Sequence, residues 1–152
     1  MTRSSIHVAV VAAKIEAVRR MLAGIASLPL ATEEEFLADV RMVAAGESFL
    51  RRALEALFDL GRHILAKGFA IASPGFKETV RNLLQQGIVD ASLAEKMTEM
   101  AGYRNRMVHF YDEVTPEELF DVLKNHLGDV ETAMAAIQTW MRERPELFNT
   151  TL

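Results

Sequence analysis

The chain has 152 residues, of which 50% are apolar and 25% are charged, and this composition excludes a disordered or low-complexity protein. Its length predicts one globular domain that covers residues 1–152. The lack of cysteine excludes disulfides and thiolate metal sites and favours a cytoplasmic protein, whereas the net charge of −4 argues against a protein that coats nucleic acid non-specifically.

Apolar residues recur at helical spacing along most of the chain. The first stripe alternates steps of four and three, and it consists of Val11, Ile15, Val18, Leu22 and Ile25. Leu28 and Pro29 end this helix. Charged residues between Lys14 and Arg20 interrupt the segment before it could span a bilayer, so we expect no membrane association.

The second predicted helix is long. Thr32 with Glu35 forms a capping box, and the apolar stripe that follows continues to about Lys67. Glu47 is a carboxylate on this otherwise apolar stripe. We expect that it either faces solvent or pairs with a cation of the functional site, Arg104 being the first candidate.

Three more helices follow the turn at 73–75. A short helix is predicted over 76–86, and a second one leads from about residue 92 to a polar segment at 103–113. Thr115 and Pro116 then start a long last helix that ends before Pro145. Three long and two short helices predict an all-α fold, an antiparallel helical bundle. Extra apolar residues on the first and last helices favour a homodimer.

The polar segment reads YRNRMVHFYDE and carries the candidate site. Arg104 offers a guanidinium, Asn105 an amide and His109 a group that exchanges protons near neutral pH. On a continuous helix Arg104 and His109 would point about 140° apart. A helix that ends near Val108 would let His109 turn toward Arg104, or a two-fold dimer would bring the groups of both subunits together.

The pattern Arg104-x-x-x-x-His109-x-Tyr111, within KMTEMAGYRNRMVHFYDEV, resembles the motif of HepT-like toxins of the HEPN superfamily. The order of helices is similar to that family as well. The resemblance implies a HEPN-like bundle that dimerises and cleaves RNA as a metal-independent endonuclease, without a cofactor. It also implies a partner, a minimal nucleotidyltransferase antitoxin that neutralises the toxin by AMP transfer.

The resemblance also assigns roles within the motif. Arg104 would bind the scissile phosphate, His109 would be the general acid or base, and Tyr111 would accept AMP. Asn105 would orient either the phosphate or the histidine, and Arg106 could assist RNA binding. The alternative function is a non-catalytic helical dimer that binds a nucleotide or a partner protein in the same cleft.

Overall fold

The computed structural model describes residues 5–109 and 114–149. Seven α-helices lie in these ranges: α1 (Val8–Ala26), α2 (Glu33–Leu37), α3 (Val40–Phe69), α4 (Phe76–Gln85), α5 (Ala91–His109), α6 (Pro116–Asn125) and α7 (Gly128–Arg142). The short elements are a 3-10 helix, Pro145–Leu147, and two strands, β1 (Ile6–His7) and β2 (Phe148–Asn149). The predicted all-α class is confirmed. No helix in the described part is long and apolar enough to cross a membrane.

The long helix α3 is the centre of the bundle, and α1, α4, α5, α6 and α7 all pack against it. Near the end of α1, Gly24 faces the ring of Phe49. Near the start of α1, Lys14 pairs with Asp59 at 3.9 Å. The two helices therefore run antiparallel along each other.

The apolar stripes predicted for these two helices form much of the core. Buried members are Val11, Ile15, Val18 and Ile25 of α1, with Leu50, Leu54, Leu57 and Ile64 of α3. Each fully buried side chain of this kind contributes about 1.5–3 kcal/mol relative to an exposed one. The helical period read from the sequence therefore identifies the faces that hold the bundle together.

The helix predicted from Thr32 to about Lys67 is in fact two helices. Thr32 caps α2 as predicted, because its Oγ1 accepts a hydrogen bond from the Glu35 amide at 3.1 Å. The chain leaves the helical conformation at Asp39, whose Oδ1 accepts a bond from the Arg41 amide at 2.9 Å and caps α3. A strong N-cap residue inside an apolar stripe therefore starts a new helix.

The predicted last helix is also divided. Thr115 caps α6 by accepting a bond from the Glu118 amide at 3.1 Å, as expected. The helix then ends at Asn125, and α7 begins at Gly128, a residue with low helix propensity. His126 at this break is exposed and lies 3.2 Å from a carboxylate oxygen of Asp121. The two breaks account for seven helices where five were predicted.

Strands from the two ends of the described chain pair in parallel, with Ile6 opposite Phe148 and His7 opposite Asn149. Nε2 of His63 on α3 accepts a hydrogen bond from the backbone amide of His7 at 3.2 Å. Only a neutral imidazole accepts this bond, so the protonation state of His63 affects how the strand pair is held against α3.

We expect the free energy of unfolding to decrease as the pH falls from about 7 to about 5, partly because of His63. Burial lowers the pKa of His63, and the positive charges of His7, Lys67 and Lys14 lower it further. The unfolded chain therefore binds the proton more readily, and stability is lost as the pH falls through the unfolded pKa near 6.5.

Urea unfolding at pH 5 and pH 7.5 measures this effect. A His63→Gln variant should lose less stability between the two pH values than the unaltered chain. His126→Gln is the control, because that exposed histidine faces a carboxylate and lacks the His63 environment. An equal loss in the unaltered chain and the His63 variant would show that His63 does not contribute.

Candidate functional site

Helix α5 positions the candidate residues. Its start is fixed by Asp90, whose Oδ1 accepts a hydrogen bond from the Leu93 amide at 2.8 Å. Its inner face buries Leu93, Ala94, Met97, Ala101 and Met107. Arg104 lies on this same inner face by helical geometry, since it is three residues after Ala101 and seven after Met97.

Arg104 is held by a carboxylate of α3. Its Nη2 donates to Oε2 of Glu55 at 2.9 Å, and its side chain is only 18% exposed. The other oxygen of Glu55 accepts from Nη1 of Arg51 at 2.7 Å. One carboxylate thus bridges two guanidinium groups and leaves the three-residue cluster with a net positive charge.

An aromatic ring completes the environment of Arg104. The guanidinium carbon lies 4.7 Å from the centre of the Phe76 ring, at the start of α4. Nε of Arg104 is buried and has no hydrogen-bond partner among the described residues. The guanidinium therefore has a fixed position, and its donor capacity toward a ligand lies on Nη1 and Nη2, which each form one hydrogen bond to a described residue.

Of the two alternatives for Glu47, the pairing with Arg104 is wrong, because the carboxylate that pairs with Arg104 belongs to Glu55. Glu47 is eight residues earlier on α3, about 12 Å along the helix axis. In the described part of the chain Glu47 forms no ion pair. Its charge acts on Tyr103, where burial, the Glu118 carboxylate and, more weakly, Glu47 all raise the pKa of the phenol.

Asn105 and His109 lie toward the outer side of α5. The amide oxygen of Asn105 accepts a bond from Nη1 of Arg104 at 3.3 Å, and the side chain is half-buried. His109 is exposed. Asn105 and His109 are four residues apart, so their side chains are neighbours on the helix surface. Asn105 therefore lies between the arginine and the histidine.

Within one chain Arg104 and His109 do not converge. Helix α5 continues through His109, so the two side chains point about 140° apart and are separated by about 7.5 Å along the axis. The described part of α5 includes His109 in the helix, so nothing in this part turns His109 toward Arg104. Tyr111 lies outside the described residues.

Arg106 contacts a different helix. Its Nη1 and Nη2 donate to the two carboxylate oxygens of Glu118 at 2.8 and 2.9 Å, which is a bidentate pair between α5 and α6. Its guanidinium also lies 5.7 Å from the centre of the Tyr103 ring. These contacts give Arg106 a structural function at the α5–α6 contact, and its part in RNA binding stays a prediction.

Two residues of the site were not singled out from the sequence: Glu55 and Phe76. The spacing of Arg51 and Glu55 is readable as an i,i+4 ion pair on a helix. Nothing in the sequence links that pair to Arg104, which is 49 residues further along the chain. Among the described residues no group of three or more His, Cys, Asp or Glu side chains could hold a metal ion.

Comparison with known proteins places this geometry in a family. The Ribonuclease HepT-like family matches residues 14–137, a range that includes Arg104, His109 and Tyr111. The chain is 25% identical over 117 residues to the tRNA nuclease HepT of Aphanizomenon flos-aquae, covering 77% of this chain and 80% of that protein. It is 27% identical over 89 residues to the mRNA nuclease HepT of Shewanella oneidensis, covering 59% and 67%.

A solved structure supports the fold. It is the tri-AMPylated HEPN toxin of Shewanella oneidensis in complex with the MNT antitoxin, with a TM-score of 0.77 and 23% identity. The match covers 86% of this chain and 97% of the toxin. Since the family match spans most of the sequence and includes the whole motif, the chain belongs to the HepT-like ribonuclease family.

Proposed function

We propose that the protein is the toxin of a toxin–antitoxin pair and cleaves RNA as a metal-independent endonuclease. The observation that carries the proposal is the match to the HepT-like ribonuclease family over residues 14–137, with the Arg104, His109 and Tyr111 motif inside it. Two curated relatives are named as nucleases, one of tRNA and one of mRNA. These names support RNA as the substrate class.

The chemistry follows from the residues. In RNA the 2′-hydroxyl attacks the neighbouring phosphate, the bond to the 5′-oxygen breaks, and a 2′,3′-cyclic phosphate and a 5′-hydroxyl form. His109 acts as the general acid or base for one of the two proton transfers. Arg104 stabilises the charge on the phosphorane, because its guanidinium is fixed by Glu55 and Phe76 and keeps free donors.

The active site is composite and lies between two copies of the chain. Arg104 and His109 point in different directions on one continuous helix, so a single copy does not place both on one phosphate. A two-fold axis beside the end of α5 would bring Arg104 of one subunit near His109 of the other. The exposure of His109 and of Val108, which is 37% exposed, is compatible with such a contact.

A nucleotidyltransferase antitoxin neutralises the toxin in the cytoplasm by transferring AMP to Tyr111. The solved relative is a tri-AMPylated toxin in complex with the MNT antitoxin, which supports this partner class. Tyr111 is two residues after His109 in the sequence. AMP on its phenol would add a bulky phosphodiester anion two residues from the catalytic histidine in the sequence and compete with the RNA phosphates.

The test combines intact mass with RNA cleavage. The protein is incubated with a candidate nucleotidyltransferase antitoxin and ATP, its mass is measured, and cleavage of total RNA is followed in the presence of a metal chelator. We expect cleavage in chelator before incubation, and added mass in units of AMP with cleavage lost afterwards.

The two tyrosines of the chain provide a matched pair of variants. Tyr111→Phe should not receive AMP at this position and should escape inactivation. Tyr103→Phe should be modified like the unaltered chain, because the Tyr103 hydroxyl is buried and out of reach of a second enzyme. RNA left intact by the unmodified protein would contradict the nuclease proposal and favour a binding-only dimer, whereas cleavage without AMP transfer would contradict only the mode of neutralisation.

A further inference from the structure

Lys77 lies beside the candidate site and is not explained by the contacts described above. It is the second residue of α4, and its side chain is exposed. Its Nζ lies 3.7 Å from the position that a Cβ atom would occupy at Gly102 of α5. The lysine side chain thus lies against the surface of α5 at Gly102, at van der Waals distance.

The face of α5 that Lys77 covers is the face that carries His109. Gly102 and His109 are seven residues apart, which places them within about 20° around the helix and about 10.5 Å along it. Phe76, the residue before Lys77, contacts Arg104 on the other side of α5. The first turn of α4 therefore contacts α5 in two places, through the Phe76 ring at the Arg104 guanidinium and through the Lys77 side chain at Gly102.

The charge of Lys77 is not neutralised by any residue that the structure describes. Neighbouring cations have carboxylate partners: Arg104 pairs with Glu55, and Arg62 of α3 with Asp59 at 3.6 Å. Lys77 has no ion pair or hydrogen bond within residues 5–109 and 114–149. An exposed ammonium that has no partner in the described part, on the face of α5 that carries His109, is suited to an anionic group of the substrate.

We propose that Lys77 is a substrate-binding residue that contacts an RNA backbone phosphate next to the one that is cleaved. This inference rests on the proposed ribonuclease function and extends it. Lys77 and His109 are too far apart along α5 to contact the same phosphate. The contact between Lys77 and the neighbouring phosphate therefore orients the RNA strand along the α5 face. A contact of this kind is independent of base sequence and weakens with salt.

Binding of RNA to a His109→Ala protein, in which cleavage should be much slower, tests the inference. The dissociation constant for a labelled mixed-sequence single-stranded RNA oligonucleotide is measured over a range of salt concentrations, with and without Lys77→Ala. We expect Lys77→Ala to raise the constant about three- to fivefold, the strength of one exposed ion pair. In a plot of the logarithm of the dissociation constant against the logarithm of the salt concentration, the slope should be smaller than that of the parent protein by about 0.7. Lys77→Arg should bind like the parent.

Lys67→Ala is the matched control, because this lysine also has no carboxylate partner in the described part and lies near the end of α3, about 18 Å beyond Glu55 along that helix. It should leave RNA affinity unchanged. Equal affinities in the Lys77 and Lys67 variants, with RNA cleavage by the unaltered chain intact, would overturn the role of Lys77 and leave the nuclease function standing. A chain that neither binds nor cleaves RNA would overturn both proposals.

Discussion

Replacement of His109 by alanine should lower the rate of RNA cleavage by about 10²- to 10⁴-fold, the usual contribution of a general acid or base. The imidazole is exposed at the end of α5, so its removal leaves no cavity in the core. The free energy of unfolding should therefore change by no more than about 0.5 kcal/mol. Single-turnover cleavage of total RNA and urea unfolding measure the two quantities.

His126→Ala is the matched control for this variant. His126 is also exposed, but it lies at the break between α6 and α7 beside Asp121. The His126→Ala variant should cleave RNA at the rate of the unaltered chain. Equal cleavage rates in the His109 and His126 variants would remove His109 from the mechanism.

Replacement of Glu55 by glutamine should lower kcat for RNA cleavage by about 10- to 100-fold. Glu55 does not contact the substrate in this mechanism; it positions the guanidinium of Arg104 through the 2.9 Å ion pair. Glutamine has nearly the same shape but no charge, so it removes the charge-assisted bond and lets Arg104 reorient. A displaced catalytic group reduces kcat more than it changes KM.

The comparison variant is Glu47→Gln, a change of the same chemistry on the same helix. Glu47 forms no ion pair among the described residues, so its replacement should leave kcat unchanged. Arg51→Ala should have a smaller effect than Glu55→Gln, since it leaves the bond between Glu55 and Arg104 in place. A Glu55→Gln protein with the kcat of the Glu47 variant would show that Arg104 does not depend on this carboxylate.

The fold class was predictable because apolar residues repeat with the helical period over most of the chain. The boundaries were less predictable where a capping residue interrupts a continuous stripe. Asp39 caps α3 inside such a stripe, and the chain breaks again between Asn125 and Gly128. The spacing of apolar residues predicts which face of a helix is buried. A break of two residues between helices changes this spacing very little, so the break is hard to predict.

The motif residues could be identified from sequence because they are close together in the chain and resemble a known family. The residues that contact the motif from other helices could not be identified from the sequence. Glu47 interrupts an apolar stripe and was therefore considered as a partner of Arg104. The residue that binds Arg104 is Glu55, two turns further along α3. A helical pattern places residues on a face, but the identity of the partner depends on how two helices are aligned lengthwise.

Cleavage by mixed dimers tests most directly whether one active site takes Arg104 and His109 from different subunits. Chains with Arg104→Ala and chains with His109→Ala are produced together in equal amounts, and each is also produced alone. Each variant alone should be inactive. In a randomly assembled mixture half of the dimers are mixed, and each has one intact composite site, so the mixture should show about a quarter of the unaltered activity.

An active unaltered protein together with an inactive mixture would contradict the composite site and place both groups on one subunit.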